Sequence, residues 1–146
     1  MFDLNQMRAI GKMMAKQAQE KAAADPEAAN EIIDMSPLLK AWKPGTMDKP
    51  VKYDLHDVRI YEGLPWWCVT AHTHYGEPGW EPGENTALWA QYHGRDADHA
   101  LPFKAEGHNP YNAGHWCLEN NVAYKCLRDG VVHPPSVLPD AWEVDS

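Results

Sequence analysis

The sequence has no apolar run near the 18 or more residues of a membrane span, which excludes a helical crossing. It has no basic stripe: 13 Lys and Arg face 21 Asp and Glu, for a net charge of −8. The acid excess is spread as −1 over residues 1–41, −3 over 42–91 and −4 over 92–146. A phosphate-backbone partner needs clustered cations, so nucleic acid is excluded as a ligand. There are only three cysteines, Cys68, Cys117 and Cys126, and no CxxC pair. That argues against a zinc site or a disulfide framework and for buried free thiols. Signatures of the GxSxG, HExxH, P-loop and dinucleotide kinds are missing, and the chain is expected to be non-enzymatic and to need no cofactor. The opening Met1-Phe2-Asp3-Leu4-Asn5 lacks the basic-then-apolar order of an export signal, so the chain is expected to be made and kept in a cytoplasm, or to leave it by lysis.

Aromatics are nearly missing from the first 41 residues and abundant afterwards. Of fifteen Trp, Tyr and Phe, only Phe2 precedes Trp42. The change divides the chain into a helical segment, 1–41, and an aromatic half. Residues Leu4 to about Ala23 are rich in Ala, Met, Lys, Gln and Glu, all good helix formers. Leu4, Met7, Met14 and Ala18 recur at helical spacing, with Gly11 interrupting the stripe. Asp25-Pro26-Glu27 reads as the start of a second helix through Ile32 and Ile33, and Ser36-Pro37 as a third start signal. Helices this short are marginal alone. They are expected either to pack on the modules behind them or to serve as an oligomerisation or docking stem.

The aromatic half repeats itself. At an offset of 58, Tyr53 falls on Tyr111, Trp66 on Tyr124 and Cys68 on Cys126. Past the cysteines the offset becomes 53, and Trp80 falls on His133 and Trp89 on Trp142. Matches on both sides of one indel indicate a duplication, with a first module over 42–92 and a second over 93–146. Each copy predicts a strand (about 58–61 or 115–119), a tight turn at Gly63 or Asn120-Asn121, a second strand (about 64–70 or 122–128), and a Gly/Pro-rich loop. A short segment ending in Trp89 or Trp142 follows. The expected class is α+β, a helical segment followed by two small aromatic-rich antiparallel β-modules in tandem. Units of this size depend on aromatic burial, at about 150–250 Å² per ring.

At these residues the sequence resembles a known family. Tyr53-Asp54-Leu55-His56-Asp57, Trp66-Trp67-Cys68-Val69-Thr70-Ala71-His72-Thr73, Trp80-Glu81-Pro82 and Ala87-Leu88-Trp89 are similar to the chitin-binding, family 5/12 type of carbohydrate-binding module. The nearest likeness is to the version in phage and prophage structural proteins, where a helical segment precedes the module. Gly107 to Gly114, Tyr124, Asp129 to Val132, Pro135, Pro139 and Trp142 are similar to a second variant of it. His56 stands where the family often has Gly, His115 where it has Asp and His133 where it has Trp. The resemblance, over about residues 42–145, implies a virion component assembled in a host cytoplasm. It implies host-surface or environmental glycans as ligands, with other virion proteins as partners through the N-terminal helices. By analogy with phage fibres it also implies a homo-oligomer, with a trimer preferred. Two alternatives stand beside it: a purely structural virion assembly protein, and a bacterial accessory protein binding chitin or peptidoglycan.

A pyranose offers an apolar C–H face that stacks on an exposed indole or phenol, while nearby polar groups orient it. Neighbouring strand residues point to opposite faces, so of Trp66 and Trp67 one faces the core. Trp66 aligns with Tyr124 and is assigned there. Trp67 is then the outward platform, with Trp80 and Tyr75 in the Gly/Pro-rich loop as its companions. The expected framework is Trp42, Tyr53, Trp66, Cys68, Trp89, Tyr111, Tyr124, Cys126 and Trp142. Eight histidines, among them His72, His74, His93 and His99, fit no metal-ligand spacing. Glu77, Glu81 and Glu84 lie in a loop of a module too small to enclose a two-carboxylate cleft.

Overall fold

A computed structural model describes residues 3–25 and 28–145 of the chain. Helix α1 (Leu4–Ala24) starts at a reciprocal cap: Asp3 accepts from the Gln6 backbone, and the Gln6 side chain accepts from the Asp3 backbone, both at 2.8 Å. Helix α2 (Ala29–Asp34) is only six residues long. Of the start signal read for it, Pro26 and Glu27 lie outside the described residues, as does Phe2. A 3-10 turn, Ser36–Leu38, leads into the aromatic half.

Among the described residues the aromatic half holds nine short strands in three sheets, antiparallel but for one pair, behind one long N-terminal helix, an α+β arrangement. Strand β1 (Val51–Tyr53) pairs with β4 (His72–His74). Strands β2 (Val58–Tyr61), β3 (Leu64–Cys68) and β5 (Trp89–Gln91) form a second sheet in the order β2-β3-β5. In the third, β6 (Leu101–Pro102) lies parallel to β7 (Trp116–Glu119), followed by β8 (Val122–Cys126) and β9 (Trp142–Val144). Each central hairpin closes through two residues of positive φ, Glu62 (51°) with Gly63 (79°) and Asn120 (54°) with Asn121 (64°). That is the backbone a right-twisted two-residue hairpin requires. Trp89 and Trp142 begin their strands rather than ending the segments before them, because each pairs at its own backbone with Cys68 or Cys126.

The duplication extends to the ladder. Val58 opposes Trp67 as Trp116 opposes Lys125, and Cys68 opposes Trp89 as Cys126 opposes Trp142. Tyr53 meets Trp89 edge-on at 5.1 Å and Tyr111 meets Trp142 edge-on at 5.2 Å. The Cys68 thiol donates to the Thr70 carbonyl at 3.1 Å and the Cys126 thiol to that of Arg128 at 3.0 Å. Cys68, Cys117 and Cys126 are free and buried, and desolvation pushes the Cys68 and Cys117 thiols up to about 12. Another match spans an offset that the sequence comparison does not use. The Tyr53 hydroxyl binds the backbone of Lys43, and the Tyr111 hydroxyl that of Lys104. Trp42 and Phe103 therefore occupy equivalent places, each packed on its repeat's Tyr–Trp core.

The helices cover the other face of the first repeat. Ala18, Ala22, Ala29, Ile32 and Leu39 pack on Val58 and Tyr92, with Ile60 and Trp67 at the margin. Gln19 ties the layers: its amide donates to the Val58 carbonyl at 2.7 Å and accepts from the Lys40 backbone at 3.0 Å. Only the C-terminal half of α1 takes part, and Leu4, Met7, Met13 and Met14 remain exposed.

Candidate functional site

The alternation of β3 places its two indoles as the strand period requires. Trp66 is buried with Tyr53, Cys68, Leu88 and Trp89 on the inner face. Trp67 lies on the outer face, half-buried at the edge of the helical layer. It does not stand open to solvent as a flat platform. It forms a wall of a cleft of about 490 Å³ where α2, the first repeat and the start of the second converge. His56, Gln91, Tyr92 and His93 of the first repeat and its exit line the same cleft, facing His108, Asn109, Pro110 and Asn112 of the second.

The cleft is polar and firmly held. The Asn109 amide donates to the Gln91 carbonyl at 3.0 Å, joining the repeats across its floor. The His93 ring stacks on Tyr111 at 3.6 Å with planes 6° apart, and its Nε2 donates to the Lys104 carbonyl at 3.0 Å. Burial lowers the His93 pKa to about 4, so this imidazole stays neutral above about pH 5. Desolvation likewise raises the Tyr92 phenol above its ordinary range. Two buried polar atoms in residues bordering the cleft, Gln91 Oε1 and the Tyr92 hydroxyl, have no hydrogen-bond partner among the described residues. Backbone is packed tightly at Gly94, where a Cβ would clash with the His99 carbonyl oxygen. Among the described residues no carboxylate lines the cleft. The lining supplies the Trp67 indole, the Asn109 amide, imidazoles and the Arg95 guanidinium, a set able to bind a polar molecule and without the paired acids of glycoside hydrolysis.

The three residues expected to form one platform lie in three places. Trp80 is half-buried against the Tyr53–Trp66–Trp89 core, with its ring 6.1 Å from that of His72 and 6.2 Å from that of His74. It is therefore on the inner side of the sheet, away from Trp67. Tyr75 is 45% exposed beside a separate shallow depression with Met47, Gly76 and Glu77. Of the expected framework, Tyr53, Trp66, Cys68, Trp89, Tyr111, Cys126 and Trp142 are buried, and Trp42 and Tyr124 pack half-buried against them.

Gln91, Tyr92 and Asn109 were not singled out by sequence reasoning. The available signal was a lone amide in the buried run Trp89-Ala90-Gln91-Tyr92-His93, since a buried polar side chain is the informative exception in a core strand. Asn109 had no such signal, because its contact with Gln91 spans 18 residues and crosses between the repeats. Among the described residues no group of three or more His, Cys, Asp or Glu converges as a metal site, and no helix is long and apolar enough to cross a membrane. Compared with protein-family models and with curated proteins, the chain matches none of either.

Proposed function

We propose that this chain is a non-catalytic phage virion protein, a fibre, decoration or tail-tip component, that attaches weakly to host-surface or environmental glycans. The carrying observation is the half-exposed indole of Trp67 in a polar cleft that no described carboxylate lines. A sugar ring stacked on that indole would meet the side chain of Asn109 along its edge. Weak single-site affinity becomes useful through copy number, because tethered sites act at high effective concentration. The N-terminal helices dock the protein on other virion proteins or on its own copies, with a trimer the preferred count. One observation favours the purely structural reading as an alternative: Trp67 also touches the helical layer, so its burial has a packing role whether or not a sugar binds.

A glycan array, read beside thermal melts of the full chain, tests the proposal. Trp67→Ala and Asn109→Ala are expected to remove retention from a folded protein, while Tyr75→Ala leaves it unchanged. Retention that survives Trp67→Ala and disappears with Tyr75→Ala or Trp80→Ala moves the site out of the cleft. Absence of any retained glycan with the parent protein favours the structural reading. Mass spectrometry of purified virions separates both from a bacterial accessory protein.

A further inference from the structure

The two repeats differ in what covers the outer face of the sheet. In the first repeat this face carries Val58, Trp67, Ala90 and Tyr92, and the chain's own helices pack against it. Through the shared register, the same positions in the second repeat are Trp116, Lys125, Glu143 and Asp145. The 3-10 turn Ala97–His99 lies along β7 and β8 and covers part of that face. The rest stays open. Lys125, Glu143 and Asp145 are exposed, and with half-buried Trp116 they line a depression of about 230 Å³.

The chain also carries an unpartnered element of matching kind. The stripe that buries Ala18 and Ala22 on the first repeat continues toward the N-terminus through Met14, Gly11, Met7 and Leu4. There it runs past the body: Leu4 is 62% exposed and Met7 59%. Leu4 to Met14 spans about 15 Å of helix, roughly three strand spacings. Arg8, Lys12 and Lys16 flank this stripe against Asp3 alone, so residues 3–16 carry +2 in a chain of −8. Lys16 lies 4.0 Å from Glu20, while Arg8 and Lys12 make no ion pair among the described residues.

We propose that the outer half of α1 in one copy lies across the open second-repeat face of another copy. It would thus supply to that repeat the helical cover that the first repeat receives in cis. The apolar stripe meets Trp116 and the aliphatic stem of Lys125, and the basic flank meets Glu143 and Asp145. Such a contact is head-to-tail, so it closes into a ring or extends as a chain according to the rotation between copies. Pairing of the same half-helices with each other would offer the basic flank only Asp3 within residues 3–16. The inference deepens the docking role given above to the helices and is independent of whether a glycan binds.

Two measurements on the full chain test it. Light scattering over a range of concentrations should show self-association that Lys12→Glu or Glu143→Lys alone weakens about tenfold, since like charges then oppose each other. The double reversal should restore it. Both sites are exposed, so the variants keep their fold. Separately, Lys12→Cys and Glu143→Cys proteins are mixed under oxidation. The native cysteines are buried and should not contribute. A disulfide joining one variant to the other is the expected result. A parent protein that is monomeric at every concentration overturns the proposal. So does cross-linking confined to Lys12→Cys copies, or retention on anionic vesicles by a protein that does not self-associate.

Discussion

Replacing Gln91 by Met should make this protein more stable. Gln91 is 2% exposed in β5, and its Oε1 has no hydrogen-bond partner among the described residues. Its backbone carbonyl accepts from Asn109, a bond that does not depend on the side chain. An amide oxygen buried without a partner costs about 1–3 kcal/mol. Methionine has similar length and flexibility, and a volume-conserving exchange in a packed core costs less than about 1.5 kcal/mol. The balance favours the variant by about 1 kcal/mol, or a rise of about 2–4 °C in Tm for a chain near 150 residues. Differential scanning calorimetry of the two proteins in one buffer measures it. The side chain lies with Trp66 on the inner face, away from Trp67, so glycan retention should be unchanged by the exchange. A variant that melts below the parent refutes the reasoning, because it shows that the amide is paired and that its loss strands a partner.

Trp89→Ala should cost about 3–5 kcal/mol, as large aromatic truncations in cores do, because Trp89 is 1% exposed and meets Tyr53 edge-on at 5.1 Å. Chemical denaturation should show a loss clearly larger than for Trp80→Ala, whose indole is only half-buried; equal losses would contradict the core assignment. A pH effect should come from His99, whose ring sits 2.6 Å from Asp96 and 2.8 Å from Asp34 at the end of α2. The Asp96 hydrogen bond, then Asp34, raises its pKa above 6.5, so this contribution is complete below about pH 6.5 and is lost as pH rises through the folded value. Asp96 is shifted the opposite way, chiefly by its bond to His99, and its share is lost as pH falls below about 3.8. Melts across pH 5 to 9 should therefore show a decline at the alkaline end that His99→Gln flattens, and identical profiles would remove the assignment.

Much of the framework was readable because the chain states it twice. Tyr53, Cys68 and Trp89 recur as Tyr111, Cys126 and Trp142, and both triplets form the same buried core. The turn residues were legible for a local reason, since Gly63 and Asn120-Asn121 tolerate the positive φ that a two-residue hairpin needs. Strands β1, β4 and β6 had no comparable signal. They are two or three residues long, too short for periodicity to show, and they exist through partners far along the chain.

The sequence by itself determined the α+β order, the duplication, the hairpins and the opposed faces of Trp66 and Trp67, because each depends on spacing along one chain. Only the tertiary structure decided what each outer face meets. Met14 and Ala18 belong to one helical stripe, yet Ala18 is buried and Met14 is 48% exposed, because the first repeat ends beneath the helix between them. Trp67 became the wall of a cleft rather than an open platform for the same reason. Helices and a second repeat distant in sequence close around it, and burial depends on which surfaces fill the neighbouring space, a property that no local pattern of residues carries.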